Sequence, residues 1–315
     1  MIPSRSRLQE LFAEMQRIEE HRSKSAEKEI AKIYKEMLRE LRRSLGEWYG
    51  RYATDDIITY SMLIRNSEYA RFVEEVQKKI DTRYSLVSKT ITSLVTDTYN
   101  MAYVGMVKAV GSAINDEHLA TMLSAIKLTP AQVIKAAVNN PISKLTLSKT
   151  LEKSRKKIVY NIKNTITNGL INGDRMSTMA NKIKDDVDQN YRKSMLIART
   201  EVHRVRETGH DDASKAIDNT LVSANSEYRM IKRWKSMQDN SVRKTPKADH
   251  RKMNGQIVLQ DEKFDLGRGV TAPCPGQSGK AYHDCNCRCT VIHDLMDSSE
   301  FFQATGRYFH DVQNE

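Results

Sequence analysis

The sequence predicts a mainly α-helical chain with a small C-terminal α+β domain behind a long helical N-terminal region. Three observations point there. Apolar residues recur at spacings of three and four over the first two thirds. The 315 residues include only six prolines and 13 glycines, which leaves few helix breakers. Past Asn219 the texture changes to short alternating runs broken by turn residues.

The N-terminal stretch carries Leu8, Leu11, Phe12, Met15 and Ile18, then Ile30, Ile33, Tyr34, Met37 and Leu41. This is the stripe of an amphipathic helix, which Gly46 and Gly50 are expected to loosen. Thr54-Asp55-Asp56 reads as a turn that restarts a helix. Residues 68–112 form a second long periodic stretch through Phe72, Val73, Val76, Ile80, Leu86, Ile91, Leu94, Val95 and Tyr99. Thr129-Pro130 has the form of an N-cap followed by proline at the first helical position. That helix runs to Val138 and closes at Asn139-Asn140-Pro141. Helices over about 144–168 and 177–213 flank a turn at Asn168–Asp174.

Beyond this, Tyr228 to Trp234 alternates as a strand does, with Tyr228, Met230, Ile231 and Trp234 as candidates for burial. Asn254-Gly255 is a tight-turn signal before a short strand at Gln256–Leu259. A glycine- and proline-rich loop from Arg268 to Ala281 precedes a final strand at Cys289–Ile292. The expected division is a helical arm and body at 1–190, an α+β domain at 191–295 and a tail at 296–315.

No run of about 18 apolar residues exists to span a bilayer, and Met1–Glu10 lacks the apolar stretch of a secretory signal. No membrane anchor is therefore predicted, and synthesis in a cytoplasm is. The net charge is +11. Its excess is concentrated between Lys144 and Arg206, where 15 Lys and Arg face six Asp and Glu. That stretch is a candidate DNA-facing surface, with Lys153, Arg155, Lys156, Lys157, Lys163, Lys182, Lys184, Arg192 and Lys193 as its basic residues. A solvated helical face accounts for the same charges.

All four cysteines fall between Cys274 and Cys289. Clustering of this kind favours metal over disulfide in an intracellular protein. Cys274, His283, Cys285, Cys287 and Cys289 offer more soft ligands than the four a structural Zn²⁺ takes, and His250 is another within reach. If Cys285-x-Cys287-x-Cys289 ran as a strand, Cys287 would point away from its two neighbours. The alternative is that Cys287 and Cys289 are small buried hydrophobes. Arg199, Glu201 and His203 share a helix at spacings of two, so they cannot form one cluster. With Asp239 and His250 they read as a buried polar network docking helix onto sheet, Arg199 pairing a carboxylate. An enzyme acting on nucleic acid, with His203 and His250 as acid–base candidates, is the competing class. A DNA-binding module is a further one. No phosphate- or dinucleotide-binding glycine motif occurs.

Four pieces stand in a fixed order: Ile197-Ala198-Arg199-Thr200-Glu201-Val202-His203-Arg204 leading into Glu207-Thr208-Gly209-His210; Lys232-Arg233-Trp234-Lys235-Ser236-Met237-Gln238-Asp239; Asp249–Gln256 followed by Asp261–Phe264; and Asn286-Cys287-Arg288-Cys289-Thr290. Together, over residues 197–292, they resemble the Mu F-type head morphogenesis domain of tailed-phage minor capsid proteins. The resemblance implies a low-copy virion component inside the head. Its expected partners are the portal protein, the capsid interior and packaged DNA, and such proteins are often released with the DNA. The added Cys274 to Cys285 segment departs from the family's simpler Asn-Cys-Arg-Cys ending.

Overall fold

The computed structural model describes residues 5–58, 67–114, 116–127, 145–240 and 242–309. The helix expected after Thr129-Pro130, and its close at Asn139-Asn140-Pro141, lie outside the described residues. The elements in chain order are helices α1 (Arg5–Tyr52), α2 (Glu68–Ala113), α3 (Glu117–Ser124), α4 (Leu147–Ile171) and α5 (Met176–Ser223), then strand β1 (Tyr228–Lys235). The short strands β2 (Lys244–Thr245), β3 (Ala248–Asp249), β4 (Ile257–Leu259), β5 (Phe264–Asp265) and β6 (Thr271–Ala272) follow. Helix α6 (Ala281–Asp284), strand β7 (Thr290–Asp297) and helix α7 (Ser298–Thr305) complete the order. Among the described residues no helix is long and apolar enough to cross a membrane.

The chain packs as two compact units that draw on non-contiguous stretches. One comprises 23–93 and 147–198, the other 1–22, 94–146 and 199–315. The first is helical throughout. Its core is the stripe Ile30, Ile33, Tyr34, Met37, Leu41 and Leu45 with Phe72, Val76, Ile80, Tyr84 and Val87 from α2. On α4 the buried positions Leu147, Leu151, Ser154, Ile158, Ile162 and Ile166 step by three and four, as one face of a helix must. Polar residues fix the register. The Tyr34 hydroxyl donates to Asn190 Oδ1 at 2.5 Å, and Asn190 Nδ2 donates to the Ser154 carbonyl at 3.1 Å. Trp48 stacks on Phe72 at 4.2 Å. Gly46 and Gly50 do not loosen α1, which continues to Tyr52; the helix is held by its packed face, which outweighs about 1 kcal/mol of glycine propensity. Thr54–Ile57 closes as the expected turn, with Asp55 and Asp56 in the left-handed region. Leu86, expected in the stripe, is exposed, and Tyr84 and Val87 take its place.

The second unit holds a three-stranded antiparallel sheet in the order β4-β1-β7. Met230 pairs with Leu295, Lys232 with His293 and Trp234 with Val291. The final strand is longer than Cys289–Ile292, beginning at Thr290 and running to Asp297. It passes into α7 through a capping box in which Asp297 accepts from Glu300 N–H and Glu300 accepts from Asp297 N–H. Residues 298–305 are thus a helix whose Phe301 packs with Ile231, Leu259 and Met296 on one sheet face. The other core gathers Trp234, Phe264, Leu266, Cys274, Cys287, Cys289 and Val291. Helix α5 crosses α2 at Gly209, where a Cβ would lie 2.8 Å from the Tyr99 carbonyl oxygen. Only glycine permits that approach.

Candidate metal centre

Helix α5 meets the sheet through polar groups rather than an apolar stripe. Glu207, Asp211, Ser214 and Asp218 recur at spacings of four, three and four, so they share one face. Glu207 Oε2 accepts from Val291 N–H at 3.0 Å, and Asp218 Oδ1 from Met230 N–H at 2.8 Å. Ser214 donates to Gln260 Oε1 at 2.7 Å, while Gln260 Nε2 donates to Asp211 Oδ1 at 2.9 Å. Lys232 is fully buried, at 0% exposure. Its ammonium reaches Asp211 Oδ1 at 3.2 Å and the carbonyls of Glu262 and Pro273 at 2.8 and 3.0 Å. All three ammonium protons therefore have acceptors.

These docking hydrogen bonds come from residues beyond the set expected from the sequence. Arg199 is exposed. Glu201 is buried against Arg204 at 2.6 Å, the neighbour one turn on. Asp239 is an exposed partner of Arg288. His203 accepts at Nδ1 from Arg206 at 3.2 Å, and His250 belongs to the cluster below.

Downstream of this face, the backbone from Cys285 to Cys289 is irregular, and Asn286 adopts a left-handed φ of 55°. Cys287 and Cys289 precede β7, so strand alternation does not force their side chains apart. Each Sγ lies 3.5 Å from His250 Nδ1. His250 arrives from the turn after β3, held by a hydrogen bond from its N–H to the Arg243 carbonyl at 2.9 Å. Its Nε2 shares a 3.0 Å hydrogen bond with His283 Nδ1, the two rings lying within 5° of parallel. The three donor atoms lie within 4.8 Å of one another and are buried; among the described residues, this grouping could hold a metal ion. The Cys287 thiol, donating to the Cys289 sulfur, lowers the pKa of Cys289, and its own is raised.

The structure thus joins His250, Cys287 and Cys289, with His283 behind His250. Cys274 and Cys285 are not part of this grouping. Cys274 is buried, its thiol pKa pushed up by burial and then by Asp211 and Glu207. Cys285 is half-buried, and its carbonyl accepts from Arg243 Nη2 at 2.6 Å.

The basic stretch lies on helix surfaces and is partly neutralised. Arg155 pairs with Glu152 and Asp81, Lys156 with Glu152, Lys182 with Asp174 and Lys184 with Asp188. Lys163 is half-buried, whereas Lys153, Lys157, Arg192 and Lys193 are exposed. Lys157 rests over the Tyr160 ring.

Residues 160–292 match the family model described as phage Mu protein F like protein. The chain is 29% identical to the minor head protein GP7 of Bacillus phage SPP1, over 85% of this chain and 82% of that one. It is 24% identical to the NAD(+)–arginine ADP-ribosyltransferase EFV of Enterococcus faecalis over 91% of this chain. That alignment spans only 55% of the transferase, about half its length. No solved structure matches. The fixed order of the four motifs, the family model matched over residues 160–292 and the likeness to a head protein over most of both chains agree, and together they support a minor head protein of the phage Mu F-like family.

Proposed function

We propose that this minor head protein works by assembly inside the phage head, against the portal and the capsid interior, and leaves with the DNA on ejection. The likeness to a minor head protein over 85% of the chain carries this reading. The helical unit supplies long exposed faces for partners. Quantitative mass spectrometry of purified procapsids and virions is expected to find a few to some tens of copies. Absence from both particles would overturn the reading.

Packaged DNA is the second partner. Lys153, Lys157, Arg192 and Lys193 are exposed on helix surfaces, where they can neutralise phosphates without reading bases. Duplex binding is expected to be weak and indifferent to sequence. Its affinity should fall linearly on a log–log plot against salt. Filter binding at a series of salt concentrations checks it, and a flat salt response would contradict it.

For the cysteine cluster we assign Zn²⁺ in a structural role. Two sulfurs and an imidazole are its preferred ligands. At zinc's usual bond lengths, a sulfur and a nitrogen on one tetrahedron stand about 3.6 Å apart. The Nδ1 to Sγ separations are both 3.5 Å. An ADP-ribosyltransferase name belongs to a relative of which the chain spans about half. Catalysis is not assigned to His203 or His250: the zinc reading uses His250 as a ligand, and His203 Nδ1 accepts from Arg206 at 3.2 Å.

A further inference from the structure

We infer that His283 is the positioning residue of the zinc site: it holds the His250 ring by its second nitrogen and is not itself a ligand. This rests on the zinc reading above and deepens it, by naming what turns His250 toward the two sulfurs.

The contact is direct. His250 Nε2 and His283 Nδ1 are 3.0 Å apart. The two rings lie within 5° of parallel, with their centroids 5.3 Å apart. That separation is about the greatest that two imidazoles can reach across such a nitrogen–nitrogen contact. The rings therefore stand end to end in nearly one plane, not face to face. The hydrogen bond between them is close to straight, the geometry in which it is strongest.

The other side of His250 faces the sulfurs, each 3.5 Å from its Nδ1. With Nδ1 as the ligand atom the His250 proton sits on Nε2, and His283 Nδ1 accepts it. One hydrogen bond thus selects the tautomer and fixes the plane of the ligating ring. His283 is 2% exposed, and its Nε2 is buried without a hydrogen-bond partner. Among the described residues its imidazole hydrogen-bonds to His250 alone.

The backbone at 283 is placed by other groups. Arg243 links the two histidines: its carbonyl accepts from His250 N–H at 2.9 Å. Its guanidinium donates to the carbonyls of Tyr282 and Cys285, the latter at 2.6 Å. The N–H groups of His283 and Asp284 both donate to the Lys280 carbonyl at 2.9 Å, which closes the turn of α6. Residue 283 is therefore delivered opposite His250 whatever side chain it carries. Spacing made His283 a candidate ligand, yet it lies outside the grouping of His250, Cys287 and Cys289. Its segment reaches the metal through His250.

The experiment uses the full-length chain purified without chelator and titrated with zinc against a chromophoric chelator. His283→Leu removes the acceptor and should weaken zinc binding by about 10–100-fold, the usual range for the outer partner of a ligating histidine. His283→Asn sets a side-chain oxygen near the place of Nδ1 and should recover most of that loss. Loaded with cobalt(II), the parent and both variants should give the same spectrum, because the ligand set is unchanged. Nitrogen NMR of the zinc-loaded parent should find His250 protonated at Nε2, with a slowly exchanging proton. This readout does not depend on how any variant folds. Parent-like affinity in the leucine variant, a loss that asparagine does not recover, or a His250 proton on Nδ1 would each overturn the assignment and leave zinc in place. So would a cobalt spectrum that changes with residue 283, which would make it a ligand. A parent chain that takes neither zinc nor cobalt would overturn the zinc reading and this one together.

Discussion

Replacing Asp211 with alanine is expected to destabilise the α+β unit by about 3–5 kcal/mol, the usual cost of stranding one member of a buried ion pair. The Asp211 carboxylate accepts from Lys232 at 3.2 Å, Gln260 at 2.9 Å and Lys215 at 2.7 Å. Asp211 is 2% exposed and Lys232 not at all. Its removal leaves the Lys232 ammonium with two carbonyls and no counter-charge. Urea unfolding of the purified variant would show the loss as a lowered midpoint at an unchanged slope. The double change Asp211→Leu with Lys232→Met should recover much of it, since a buried pair exchanged for apolar groups of similar size is often neutral. A single alanine change costing under about 1 kcal/mol would mean that water reaches the ammonium.

The second large effect is a pH dependence centred on Glu19. It is 8% exposed, beside Arg206 at 4.0 Å and His210 Nε2 at 3.7 Å. It lines a cavity of about 360 Å³ with Met15, Met106, Arg206 and His293. Burial raises its pKa from 4.5 to about 7 against the attraction of Arg206, with Glu207 and Glu20 adding to the rise. His210 adds no charge there, because burial, then His293 and Arg206, keep its pKa low. A carboxyl with a raised folded-state pKa binds its proton more tightly folded than unfolded. Its contribution is therefore complete below pH 4.5 and is lost as pH rises through 7. The shift corresponds to about 3 kcal/mol. Glu19→Gln, a neutral mimic of the protonated form, is expected to flatten the stability profile over this window and to be the more stable chain at pH 8. Thermal melts of both proteins from pH 4 to 8 check it. Parallel profiles would show that Arg206 holds the carboxylate ionised throughout.

Lys232 and Glu19 share a reason for escaping notice in the sequence. Within β1 the alternation marked Met230 and Trp234 for the interior, and Lys232 lies on that same face. A lysine in an apolar register reads as an error until its acceptors are known, and these come from residues 211, 262 and 273. Likewise Ile18 fitted the stripe of α1 yet is 47% exposed, whereas Glu19 beside it is buried. Arg206 and His210, nearly 190 residues downstream, decide which of the two faces inward.

Local chemistry was legible where it is self-contained. Periodicity set the long helices, Asn254-Gly255 set a turn with Gly255 at φ 89°, and four motifs in order set the family. The clustered cysteines pointed to a metal, but not to which of them would hold it. Spacing alone left Cys274 and Cys285 equal to Cys287 and Cys289, and it kept His250 outside the first choice. Which side chains can meet depends on the path of the backbone, and the irregular segment around the left-handed Asn286 brings the Cys287 and Cys289 sulfurs each to 3.5 Å from His250 Nδ1. The sequence by itself determined the helical class, the sheet strands and the family, because each rests on short-range patterns that hydrophobic burial must obey. Only the tertiary structure decided which buried polar groups pair, because an ionisable side chain is stable in the interior only beside a partner that comes from elsewhere in the chain.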